Sequence, residues 1–281
     1  MPRSTRLPVL VVFLAAVALH QARPSGATPP TPPSLAWPSG GVPMIQQPGD
    51  QRMGDMIGDG RGGAFVAGID SHLGESEADV YLQRVESTGR IAWPAYSTAG
   101  VPICTAPKKQ FLVRLAPGGA GGVIATWHDE RGATPDIYAL RVSEDGAIAP
   151  SWPVDGAAIC TAAGTQTDPV IAQDGTGGAY IAWEDFRNGF ANGRIFAQRV
   201  LDDGAIANPW PENGIQLANG TGIEFQPAIL PALGGGAFVI WVRYWPALGN
   251  SDLIATRIMA SGAIAPGWPD SGLAICSAPG R

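Results

Sequence analysis

A Trp-Pro pair recurs at Trp37, Trp93, Trp152, Trp210 and Trp268, spaced by 56, 59, 58 and 58 residues. A fixed period of this length means one structural unit copied along the chain, each copy burying its apolar face on the next. Other landmarks keep the same step. A Gly followed by Ile-Ala precedes the last four pairs, over Gly89–Trp93, Gly146–Trp152, Gly204–Trp210 and Gly262–Trp268. Gln51, Gln110, Gln166 and Gln226 open successive units. Gly-rich turns lead into apolar stretches over 62–68, 121–127, 177–183 and 235–241. An aromatic-rich stretch ending in Arg and Val or Ile follows at Asp79–Val85, Asp136–Val142, Arg194–Val200 and Asp252–Ile258.

Period decides what each unit folds into. Arg194–Val200 (R-I-F-A-Q-R-V) alternates apolar and polar residues, as a half-buried strand does, whereas G-G-A-Y-I-A-W is short and apolar throughout, as a strand buried on both faces is. Asp145-Gly146, Asp174-Gly175, Asp203-Gly204 and Ser261-Gly262 punctuate the strands as turns. Each unit therefore offers four strands, one after the Gln, one after the Gly-Gly, one ending in Arg-Val and one around or after the Trp-Pro.

Four short antiparallel strands every ~58 residues predict an all-β chain, a β-propeller of four-stranded blades. A string of separate β-sandwich modules is disfavoured, because a unit this small buries too little core to stand alone. A β-helix would need a shorter coil. The predicted units span 46–104, 105–160, 161–218 and 219–276, preceded by an extra strand at 35–45, all within a repeat region over 35–281. The fourth strand thus occurs five times and the others four times, so the ring is expected to be incomplete. The reading is of an N-terminal portion of a longer propeller or a truncated frame, against a four-bladed ring with a redundant edge strand.

Upstream, Arg3 and Arg6 precede an apolar run from Leu7 to Leu19. That run is short for a membrane span and typical of a signal peptide, expected over 1–27, with a Pro-rich spacer over 28–34. The chain is therefore expected to be secreted, extracellular or periplasmic, with no membrane span once processed. Gly and Pro number 38 and 26 among 281 residues, a level that suggests disorder, but nine regularly placed Trp residues supply a core and many turns use the rest. A net charge of −6 without a basic cluster excludes nucleic acid as a partner. The expected partner is a protein or a glycan.

Trp-x-Asp-x-Arg stands out as a chemical motif, at Trp127, Asp129, Arg131 and at Trp183, Asp185, Arg187, with degenerate forms at Asp70 and at Trp241–Arg243. Asp70, Asp129, Arg131, Asp185 and Arg187 are candidates for a polar rim that binds a ligand. Residues copied from blade to blade more often hold the blades together, and that architectural reading is preferred. Trp93, Trp127, Trp152, Trp183, Trp210, Trp241 and Trp268 are read as structural anchors. Cys104, Cys160 and Cys276 share one position in the repeat, too far apart for disulfides, and read as small buried hydrophobes. No metal-ligand spacing, nucleophile elbow or cofactor fingerprint occurs, so no metal, cofactor or catalytic residue is nominated.

The turn Ser143-Glu144-Asp145-Gly146, with Trp152 downstream, resembles the Asp-box of sialidase-type propellers. Here the Gly follows the Asp directly and the Trp comes later, and Ser87-Thr88-Gly89 and Ser261-Gly262 lack the Asp. Units reading D-G-x-G-G-A-x-I-A-W-x-D-x-R, as at Asp174–Arg187, are also similar to repeats in large secreted bacterial proteins predicted to be propellers. The resemblance implies the fold and the compartment. A sialidase-like hydrolase would need an Arg cluster, a Tyr and an acid at the ring centre, for which Arg114, Arg131, Arg187 and Arg243 can be nominated. The expected function is a non-catalytic binding or structural scaffold, and a glycan-acting hydrolase is the alternative.

Overall fold

A computed structural model describes residues 37–277 except 73, 75, 97 and 98. The expected signal peptide and spacer lie outside the described residues, as do residues 35 and 36, and the extra strand expected at 35–45 does not form, since residues 37–45 run without strand pairing. Sixteen strands are described, in four antiparallel sheets of four, each in simple meander order. The first holds β1 (Gln51–Gly58), β2 (Ala64–Asp70), β3 (Asp79–Val85) and β4 (Val101–Cys104). The second holds β5 (Gln110–Pro117), β6 (Val123–Asp129), β7 (Asp136–Val142) and β8 (Ala157–Cys160). The third is β9 (Gln166–Gln173), β10 (Ala179–Asp185), β11 (Arg194–Val200) and β12 (Ile215–Gln216), and the fourth β13 (Ile223–Pro231), β14 (Ala237–Trp245), β15 (Asn250–Ile258) and β16 (Leu273–Cys276).

These sheets stack as propeller blades. The first strand of each packs on the first strand of the next, β1 on β5, β5 on β9 and β9 on β13, so these are the inner strands. Among the described residues no packing of comparable extent joins β13 to β1, and the series of four sheets does not close on itself. In the second and third blades the second strands are the most enclosed, every residue of β6 and of β10 being buried, while in the first blade it is β3 that is buried throughout.

The Trp-Pro repeat is a staple between blades. Trp93 Nε1 donates to the Glu144 carbonyl, Trp152 Nε1 to Asp202 and Trp210 Nε1 to Ala260, each at 2.9 Å and each in the third-to-fourth-strand turn of the following blade. The recurring Gly of that turn explains itself here. Gly146 has φ +87°, and a Cβ added to it would lie 2.8–3.0 Å from the Trp93 indole; Gly204 stands in the same relation to Trp152. Only glycine takes this backbone and admits the ring. Trp37 makes the same bond, at 3.1 Å, to Ser87 of the first blade. The extra Trp-Pro segment therefore does what a preceding blade would do.

A second set of contacts sits beneath. The Trp127 indole overlies Gly156 and the Trp183 indole overlies Gly214, each closer than a Cβ would permit. The first blade carries Gly68 where the others carry this Trp, and Ile45 fills the space: its Cδ1 lies 2.4 Å from where a Gly68 Cβ would be.

Candidate functional site

The Trp-x-Asp-x-Arg residues form a clasp in the second and third blades. Asp129 is buried and accepts Trp127 Nε1 at 2.8 Å, the Arg131 amide at 2.9 Å and a two-pronged bond from the Arg131 guanidinium at 2.9 and 2.6 Å. Arg131 also donates to the Asp155 carbonyl at 2.7 Å, reaches Cys104 Sγ of the preceding blade at 3.0 Å and lies 3.9 Å from the Tyr138 ring centre. Asp185 and Arg187 repeat the set with Trp183, the Asn213 carbonyl, Cys160 and Phe196. In the first blade Asp70 accepts Gln51 Nε2, the His72 amide and His72 Nδ1. Each candidate rim residue is thus engaged within its blade or with its neighbour, and the structure does not gather the five into one site.

The fourth blade inverts the clasp. Arg243 stands at the Asp position, and its carboxylate partner is Glu224, at 2.6 Å, both almost fully buried. Arg243 still donates to the carbonyl equivalent to Asp155 and Asn213, that of Ser271, at 2.8 Å. Trp241 Nε1 loses its acceptor in the exchange and has no hydrogen-bond partner. The unit-opening residue here is therefore Glu224 and not Gln226, which sits two positions further on. The absence of a Cys at Ala218 fits the same exchange, since no clasp Arg reaches back from the fourth blade to meet one.

Two cross-strand pairs are electrostatically unusual. Asp129 faces Asp136 and Asp70 faces Asp79, where the later blades place Asp185 opposite Arg194 and Arg243 opposite Asp252. Burial, reinforced by the Asp129 charge and opposed by Arg131, pushes Asp136 up to about 6. Burial does the same for Asp79, also to about 6, with His72 opposing it and Asp70 adding to it. A carboxyl raised above its unfolded value contributes stability at low pH and loses it as pH rises through about 6. Asp136→Asn should therefore raise thermal stability at pH 7.5 by about 1–2 kcal/mol, allowing for partial screening, and leave it unchanged near pH 3, below the unfolded carboxyl's own titration. Melting curves at the two pH values check this.

What differs between blades lies along the inner strands. β5, β9 and β13 each carry a bulge, with Leu112, Asp168 and Gln226 in the left-handed region at φ +54°, +49° and +55°. A bulge turns side chains out of the ladder, here toward the grooves between blades. The residue after the clasp Trp or its equivalent differs in each blade, Ile69, His128, Glu184 and Val242, and in the first three it faces the groove toward the next blade. His128 lies within β6 and not in the following loop. It fills its groove, with Nδ1 2.9 Å from Thr167 Oγ1 and its ring centre 4.2 Å from that of Phe111. Burial lowers it to about 4, so the imidazole is neutral at physiological pH.

Between the third and fourth blades the groove is open. It is a cleft of about 570 Å³ whose lining includes Arg114, Asp168, Glu184, Phe186, Phe225 and Gln226. Glu184 is mostly buried and accepts the Gln226 amide at 2.7 Å. Burial holds its carboxyl above the usual range, the Asp168 charge adds to this and the Gln226 bond opposes it. The related groove between the first two blades, about 540 Å³, is lined by Asp50, Arg52, Lys109, Phe111 and Glu130. Of the nominated arginines only Arg114 lines either cleft. Among the described residues no cluster of metal-ligating side chains exists and no helix is long and apolar enough to cross a membrane.

No protein-family model matches the sequence, and no curated protein matches it. Solved structures similar to it include the endo-arabinase from Bacteroides thetaiotaomicron, at 11% identity and TM-score 0.46, covering 84% of each chain. A thermostable family-43 glycoside hydrolase is similar at 11% identity and TM-score 0.44, over 81% of this chain and 76% of that one. The endo-1,5-α-L-arabinanase from Thermotoga petrophila aligns at 13% identity and TM-score 0.45, over 75% of this chain and 58% of its own. At such identities each side chain of the cleft stands on its own chemistry.

Proposed function

We propose that this chain is a secreted binding propeller that holds a glycan in the cleft between its third and fourth blades. The observation that carries the reading is Glu184. It is the one carboxylate among the four residues that follow the second-strand Trp or its equivalent, and it shares its cleft with Asp168, Arg114, Phe186 and Phe225. Carboxylates accept hydrogen bonds from sugar hydroxyls, a guanidinium donates to ring and hydroxyl oxygens, and phenyl faces cover the apolar C–H face of a pyranose or furanose. The clasp carboxylates and guanidiniums, copied between blades, are already paired with one another and do not line the cleft.

Hydrolysis is the second reading, and one observation favours it: the Glu184 carboxyl is held above its usual range beside a second carboxylate, Asp168. Two carboxyl groups in unlike environments are what general-acid chemistry at a glycosidic bond needs. One experiment tests both readings. Isothermal titration against a panel of neutral and uronic-acid-bearing oligosaccharides should find a ligand whose affinity falls at least about tenfold in Glu184→Gln, the loss expected for one charged hydrogen bond. Release of reducing ends from that ligand would establish hydrolysis. Failure of every oligosaccharide to bind, or binding indifferent to Glu184→Gln, overturns the glycan assignment.

A further inference from the structure

The fourth blade presents a face that the first three cover. Leu230 is 66% exposed, Leu253 41% and Ile275 50%. Their counterparts in the third blade, Ala172, Ile195 and Leu217, are 5%, 0% and 1% exposed, because the fourth blade lies on them. Phe238 is likewise half-uncovered where Phe65, Ile124 and Tyr180 are buried. Cys276 is exposed, whereas Cys104 and Cys160 are buried against the clasp arginine of the following blade. Burial pushes those two thiols up to about 12 and about 11. The expectation that all three cysteines are buried fails at Cys276 for this reason.

The other end of the series carries the complementary feature. Met56, whose counterparts Leu115 and Ile229 are buried against a preceding blade, is 57% exposed. Beside it the segment from Trp37 to Ile45 already makes the contacts of a preceding blade's outer strand, the staple to Ser87 and the plug at Gly68. Among the described residues this segment alone occupies the place of such a blade, and it forms no paired strand of its own. A second copy of this chain docking head to tail would have to displace Trp37 from Ser87.

We infer that the face of the fourth blade is a docking surface for one further three-stranded sheet of this same repeat, which the 41–45 segment completes as its outer strand. The interface needed is the one the chain forms three times within itself. A contiguous apolar sheet face of this kind marks an interaction site, and a bare sheet edge is a template for strand pairing.

The test extends the full chain after Arg281 with a second copy of residues 166–202. That junction keeps five residues between Cys276 and the added strand, as residues 161–165 separate Cys160 from Gln166. Maleimide labelling of native protein reads the result. The extension should slow labelling of Cys276 at least about tenfold and raise the melting temperature, while an extension of scrambled order does neither. Leu253→Asp together with Ile275→Asp should leave the unextended chain's melting temperature unchanged and abolish the protection in the extended one. Equal labelling with native and scrambled extensions overturns the inference. So does an unextended chain that is dimeric with Cys276 already protected, since a second copy would then own the face.

Discussion

Replacing Asp185 by alanine is expected to destabilise the protein by about 3–5 kcal/mol, the cost of removing one partner from a buried ion pair. The carboxylate is buried and accepts from Trp183 Nε1, the Arg187 amide and both prongs of the Arg187 guanidinium. Without it the indole N–H and the guanidinium lose their acceptors inside the blade. At roughly 2–4 °C per kcal/mol for a domain of this size, the melting temperature should fall by about 6–20 °C. Arg187→Lys should cost less but not nothing, because an ammonium cannot make the forked bond and also reach the Asn213 carbonyl. A thermal denaturation series on these variants checks both values.

The inverted clasp of the fourth blade gives the second large effect. Glu224→Gln leaves Arg243 charged and almost fully buried without its carboxylate, and should cost about 3–5 kcal/mol. Glu224→Gln with Arg243→Asp rebuilds the arrangement of the first blade, where Gln51 donates to Asp70, and gives Trp241 Nε1 the acceptor it lacks. The double variant should therefore be more stable than either single one. A double-mutant cycle reads the coupling directly, and additive losses would show that the two exchanges are unrelated.

Much of this architecture was legible in the sequence because it repeats. The Trp-Pro spacing, the paired glycines and the Asp-x-Arg clasp each recur, and each has one physical cause: an indole that needs a glycine beneath it or a carboxylate beside it. The expected fifth copy of the fourth strand does not form, since each sheet has four strands and residues 37–45 take no strand. Repetition also misled. Gln226 was aligned with the unit-opening glutamines because it is a glutamine, although its place in the ladder belongs to Glu224. That exchange shows only when β13 and β14 are paired and Arg243 is seen to face an acid. The cleft was less legible still. Asp168, Glu184 and Phe225 share no motif, and what brings them together is a bulge at one position of each inner strand. The signal that was available is negative: the position after the clasp Trp is the one at which the copies disagree.

Glu184 and Asp185 are neighbours on β10 and point to opposite sides of it, one into the cleft and one into the clasp. Thermal melts of Glu184→Gln and Asp185→Ala, each with and without the oligosaccharide that the wild type binds, separate ligand site from architecture. Glu184→Gln should melt no lower than wild type, since glutamine keeps an acceptor for the Gln226 amide and relieves a buried charge, but should lose the ligand-induced stabilisation. Asp185→Ala should melt far lower and keep it. The reverse pattern, with the ligand effect lost at Asp185 and kept at Glu184, would contradict the account.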